Sequence, residues 1–171
     1  KAKLENANLQ GANLSNTDLS NANLKGADLS YANLDNTDLR GAIVEGADFR
    51  NVENVKSAKL GIDLPGINMS ELDLSNLDFT DCDFCNANLS KANLSNTTFD
   101  SAMLENTNLS HANLSNSSLV GASLIEANMS CANLSGAYLF QANLADANLE
   151  NTQIENTNFE DANLEDTLGL E

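Results

Sequence analysis

The sequence predicts an all-β solenoid, a four-sided coil of stacked pentapeptides about eight coils long. Three observations carry this. An apolar residue recurs every five positions from Leu4 onward without a phase slip. A small residue, usually Ala, stands two places before it, with Asn or Asp between. A slower period of 20 residues is laid over the first.

The stretch "ANLSGAYLFQANLADANLEN", residues 132–151, shows the first period. Five matches neither the helical nor the strand period. Small–polar–Leu is a three-residue strand alternation, in–out–in. The two residues that follow, rich in Ser, Asn, Gly and Glu, are turn formers. Each pentapeptide is therefore one short side plus one corner. Such a unit cannot bury its inner face alone, so it stacks on its neighbours.

The second period closes the coil. Thr or Ser takes the small position at Thr17, Thr37, Ser57, Thr97, Ser117 and Thr157, a series spaced by 20 in which Leu77 and Ala137 are the exceptions. Phe79, Phe99 and Phe159 lie on the same series. Twenty residues are four pentapeptides, so each residue sits over the one 20 places earlier. At about 4.8 Å per coil the rod is roughly 40 Å long.

Residues 51–60, "NVENVKSAKL", break the pattern: Asn54 and Lys59 occupy centre positions, where burial without partners is costly. The next coil has bulky residues at all four small positions, Ile62, Ile67, Leu72 and Leu77. One reading is an outward bulge whose vacated interior these side chains fill. The other follows the alternation of Ala58, Leu60, Ile62 and Leu64: the chain shifts by one residue and runs straight through a corner. In both, the chain of 171 residues is one domain with a local irregularity and no net insertion.

"ANLQGANLSNTDLSNANLKGADLSYANLDNTDL" resembles the A(D/N)Lxx pattern of the pentapeptide-repeat family, over nearly the whole chain. The resemblance implies a right-handed quadrilateral β-helix. It also implies one specific activity, since some members bind type II topoisomerases such as DNA gyrase by imitating duplex DNA in shape and charge.

Catalytic chemistry finds no foothold. Cys82 and Cys85 form a CxxC, but the repeat turns Cys82 inward and puts Cys85 at a corner, and no further ligands complete a zinc site. His111, the single histidine, sits at a corner without a positioned nucleophile and orienter. No Gly-rich phosphate loop is present. The expectation is a non-enzymatic protein without metal or cofactor. Ice binding would need Thr in an outward rank, and the Thr rank here points inward.

The net charge is −17, so direct nucleic-acid binding is not expected. All eight basic residues lie at or before Lys91. Glu150, Glu155, Glu160 and Glu165 take four successive corners and, with Asp146, Asp161 and Asp166, form an acidic collar at one end. The collar serves solubility or a basic partner. An apolar cluster is the other candidate interface: Val120 and Phe140 are 20 apart, Tyr138 is beside Phe140, and Ile125 is one corner away. Self-association through the apolar patch or through unpaired coil ends is a further expectation. No transmembrane stretch or signal peptide is visible, and the many Asn-x-Ser/Thr triplets favour a bacterial or cytoplasmic setting. The leading reading is a scaffold that binds a protein partner. A DNA-mimicking gyrase binder and a structural module of a longer protein are the alternatives.

Overall fold

The computed structural model describes residues 1–61 and 63–170. The outward residue of each pentapeptide makes a parallel bridge to the residue 20 places on, as in Lys3 with Asn23, Asn8 with Asp28, Asn13 with Asn33 and Asp18 with Asp38. These four pairs begin four columns, which we call sides 1 to 4; the corner after each side takes the same number. Each regular side is joined to the next coil by three backbone bonds. On side 2, Leu109 N–H donates to Asn128 O at 2.7 Å, His111 N–H to Ser130 O at 2.9 Å, and Asn128 N–H to Thr107 O at 3.0 Å.

The corners explain the two turn residues. Ala112 N–H donates back to Leu109 O, closing a four-residue turn whose third residue, His111, has φ +59°. A positive φ at that position alone is the type II arrangement, which favours Gly and Asn. Most corners comply, with Asn6, Asn16, Asn96 or Asn116 there. For other side chains the left-handed region costs on the order of 1 kcal/mol.

The polar residue of each side has its own work. Asn113 Oδ1 accepts the Ser115 N–H, and Asn113 Nδ2 donates to Asn93 Oδ1 one coil below. Asn133 repeats both contacts one coil above. One side chain thus fixes its corner and ties it to the neighbouring coil, which a charged or apolar residue does less well.

Inside, Leu114, Leu124 and Leu134 are fully buried, with Ala122, Ala132 and Ala142 packed among them. The Thr rank points inward and is satisfied: Thr37 Oγ1 donates to Leu14 O, Thr97 Oγ1 to Leu74 O and Thr157 Oγ1 to Leu134 O. Ser57 departs from this expectation. It is exposed, and its hydroxyl donates to Asp35 Oδ1 while accepting the Asn36 N–H.

That departure belongs to the break. The repeat is regular through Glu53, which bridges Asn33. Asn54 then turns left-handed at φ +60° and stays exposed, a single 3₁₀ turn covers Val55–Ser57, and Val55 enters the core in place of Asn54. Lys59 is exposed and bridges Asp38, one residue later than the period requires. The next outward residue, Asp63, is back in phase, bridging Asp83. Gly61 lacks the positive φ of a corner glycine, so the expected corner there is missing. Both readings of the sequence meet here: one residue is gained at 54–57 and one is lost where the chain runs past a corner. Of the bulky residues expected to fill the interior, Ile67 and Leu72 are buried and Leu77 is half-buried, while Ile62 lies outside the described residues. Phe79, Phe84 and Phe99 add an aromatic cluster above the break, with ring centroids 5.0 to 5.8 Å apart.

Among the described residues no helix is long and apolar enough to cross a membrane.

Candidate protein-interaction surfaces

The apolar candidate lies around corner 4. Val120 and Phe140 occupy the same turn position one coil apart, linked through Gly121 N–H, which donates to Phe140 O. Both are half-buried, as is Ile125 on corner 1. Neighbouring coils cover much of the first turn residue, so the exposure falls on Tyr138, on the outward position of side 4 at 56%. Below, Asp100 Oδ1 accepts the Val120 N–H at 3.1 Å and the Ser118 hydroxyl at 2.5 Å. Above, Glu160 O accepts the Gln141 N–H.

Met103, 43% exposed at an outward position of side 1, belongs to the same neighbourhood and was missed. The signal was available: it replaces the usual Asn or Asp of its pentapeptide. Ile43 and Tyr31 are exposed apolar residues nearer the other end, at 53% and 59%.

The collar residues Asp146, Glu150, Glu155, Glu160, Asp161, Glu165 and Asp166 are all exposed. The four glutamates stand at four different corners, and Asp146, Asp161 and Asp166 hold the left-handed turn position. They surround the last described coil, where Ile154, Leu164 and Leu168 are 40%, 37% and 55% exposed.

Charge is organised differently in the first half. Lys25 pairs with Glu45 at 2.8 Å, Arg40 with Asp38 at 2.5 Å, Arg50 with Asp48 at 2.6 Å, Lys56 with Asp73 at 2.7 Å and Lys91 with Glu71 at 3.0 Å. The Arg40 guanidinium holds Asp38 down to about 2, and the Lys56 ammonium does the same for Asp73. These bases are thus engaged with acids of their own rod.

Cys82 and Cys85 are poor nucleophiles. Cys82 is buried at a small position, and burial pushes it up to about 11. Burial and the Glu105 carboxylate, which accepts the Cys85 thiol at 2.8 Å, push Cys85 up to about 12. Both stay protonated at neutral pH, whereas reactive cysteines are thiolates. Cys131 is exposed at corner 2, and all three thiols are free. Among the described residues no group of three or more His, Cys, Asp or Glu is arranged to hold a metal ion.

A family model of pentapeptide repeats matches in eight copies over residues 2–41, 17–53, 61–90, 78–116, 102–139 and 132–168. The chain belongs to the pentapeptide-repeat family. The matches of this repeat protein leave out residues 54–60, where the coil departs from its period. Among solved structures it is similar to the pentapeptide repeat protein Rfr23 from the cyanobacterium Cyanothece. The identity is 33% and the TM-score 0.54, over 61% of this chain and 82% of that one. It is also similar in fold to trypsin-treated QnrB1, a plasmid-mediated fluoroquinolone resistance protein. There the identity is 21% and the TM-score 0.61, over 99% of this chain and 85% of that one. No curated protein matches the sequence.

Proposed function

We propose that this pentapeptide-repeat protein is a non-enzymatic scaffold whose right-handed, four-sided β-helix offers a rigid side to a protein partner. One observation carries the reading. At Tyr138 and Met103, as at Ile43, the outward position, most often an Asn or Asp, holds an exposed apolar side chain, and the first two have Val120, Ile125 and Phe140 alongside. Folding does not require these residues outside, and clustered apolar groups on a polar rod suit a protein contact. The test is capture of a partner by the native chain and by Tyr138→Asp and Phe140→Asp, at low and high salt. Loss of capture in the variants, with little salt dependence, supports the patch. Unchanged capture that salt abolishes transfers the contact to the acidic collar.

The net charge of −17 favours a second reading, imitation of DNA toward a type II topoisomerase such as DNA gyrase. Duplex DNA carries about 24 charges over 40 Å, which is the same order. The distribution weighs against it, because the acids of the last coils stand as a collar without bases, whereas the earlier coils offset their acids with paired bases. Gyrase supercoiling measured with and without the protein decides. No effect in either assay leaves a structural module of a longer protein.

A further inference from the structure

At corner 2 the left-handed turn position is filled in an unusual way. Tyr31, Glu71, Lys91, His111 and Cys131 hold φ between +59° and +66° there. Over the other three corners only Ser101, Glu126 and Gln141 depart from Asn, Gly and Asp. With Asn51, these five form one exposed column, each residue a coil above the last. The backbone favours Asn or Gly at every one of these positions, so the turn itself does not explain the choice of side chains, of which only Glu71 and Lys91 pair with each other within the rod.

A second observation concerns the edge that carries them. The bridges of side 2 run without interruption from Asn8 to Leu168, including Asp48 with Asn68 at the break. The edge from Tyr31 to Cys131 is therefore in register throughout, about 24 Å at the usual strand spacing.

The order along this edge is self-complementary. A two-fold axis crossing it midway between Glu71 and Lys91 sets 71 against 91, 51 against 111 and 31 against 131. Each rod already pairs Lys91 with Glu71 at 3.0 Å, so the axis brings two such pairs together as a four-charge cluster of alternating sign, and no like charges in the column face each other. Of the adjoining turn residues near the axis, Ser70, Ser90 and Ser110 are small and leave the column accessible, while Arg50 beside Asn51 is long and is held by Asp48. Antiparallel pairing of identical surfaces is the usual geometry of a homodimer. A molecule of net charge −17 resists its own copy elsewhere, most of all at the acidic end.

The geometry points to a second copy of this chain as the occupant of corner 2: two rods pair antiparallel, Glu71 of each against Lys91 of the other. The strip is narrow, so the dimer is weak and reversible. It uses the corner opposite the Val120 and Phe140 patch and stands or falls separately from the scaffold reading.

The test is sedimentation equilibrium over a concentration series at low salt. The native chain shows a monomer–dimer equilibrium that salt weakens. Glu71→Lys and Lys91→Glu each weaken dimerisation by about tenfold or more, since each opposes like charges twice. Mixing the two variants restores a heterodimer, because one rod then brings two bases and the other two acids at the axis. Both rods remain strongly acidic overall, so bulk attraction does not account for the rescue. Glu126→Lys, the same charge change at the left-handed position of corner 1, leaves the equilibrium unchanged. Register is read separately: a short bismaleimide joins the thiol introduced by Tyr31→Cys to Cys131 of the second copy. A native chain that stays monomeric, single variants that dimerise as the native chain does, or a mixture no better than its parents overturns the proposal.

Discussion

The coils around residues 93–133 and the coil at 53–63 are made of the same kind of chain and are held to their neighbours very differently. In the regular region every side contributes three backbone bonds, with an Asn ladder through Asn93, Asn113 and Asn133 outside them. Across the break, among the described residues, two backbone bonds join the coils, Phe49 N–H to Asn68 O and Asn68 N–H to Ala47 O. Lys56 Nζ adds contacts to Asp73 Oδ2 at 2.7 Å and Ser75 Oγ at 2.9 Å. Below the break the pairing persists: Lys59 N–H donates to Thr37 O, and Lys59 O accepts from Leu39 N–H. The core runs through unbroken, with Phe49, Val55, Ile67 and Leu74 all buried. The solenoid thus separates two functions of its repeat. Inward residues maintain cohesion across an irregular coil, while the backbone ladder absorbs the one-residue shift below the break at Lys59 and, among the described residues, keeps only side 2 above it.

The largest effect expected is in the regular core. Leu134→Ala removes a fully buried side chain from a coil with ladders above and below, and costs about 2–5 kcal/mol. Leu60→Ala, half-buried beside the missing corner, costs less than half as much. Denaturant unfolding of both variants checks this, and equal losses would erase the contrast. Ala132→Leu comes next: the fully buried Ala132 has no room for growth, and overpacking costs about 1–3 kcal/mol. Ser135→Ala, three residues away at a corner, is close to neutral in the same assay.

Native-state hydrogen exchange sharpens the comparison at the backbone. The amides of Asp73 and Asp78 have no backbone acceptor among the described residues, whereas the Asn113 amide donates to Ala92 O at 2.9 Å. Asp73 and Asp78 exchange on the order of a hundredfold faster or more, as local opening of an unpaired segment requires. The smallest effect belongs to the ion pair that crosses the break. Lys56→Ala costs about 0.5 kcal/mol or less, since both partners face solvent. Its pH dependence has a definite sign. Asp73 is held at about 2 when folded, against 3.8 for the free group. The stabilisation is therefore present above about pH 4 and is lost as pH falls toward 2. Acid titration followed by exchange near Asp73 and Ser75 shows this more strongly in the native chain than in Lys56→Ala, where the Ser75 hydrogen bonds still hold Asp73 down.

The coil was legible from the repeat alone. A small residue, an Asn and a Leu at fixed spacing leave one way to bury the apolar pair, and the 20-residue recurrence of Thr and Phe closes four sides. Inward Thr37, Thr97 and Ser117, and the divergence of Cys82 from Cys85, were legible for the same reason: each residue's direction follows from its place in the pentapeptide. Glu150, Glu155, Glu160 and Glu165 at four successive corners were legible in the same way. Features that depend on the coil above and below emerged with the folded stack. That Tyr138 carries the exposure while Val120 and Phe140 are half-covered is a matter of stacking, which spacing does not measure. Which of two readings holds at Asn54–Gly61 rested on which backbone groups found partners: Asn54 and Lys59 went outward because neither has a partner in an apolar interior, and Val55 took the vacated place. The cohesion of side 2 through that coil was invisible in the sequence, since Asp48 and Asn68 look like every other outward residue until their backbones are seen to pair.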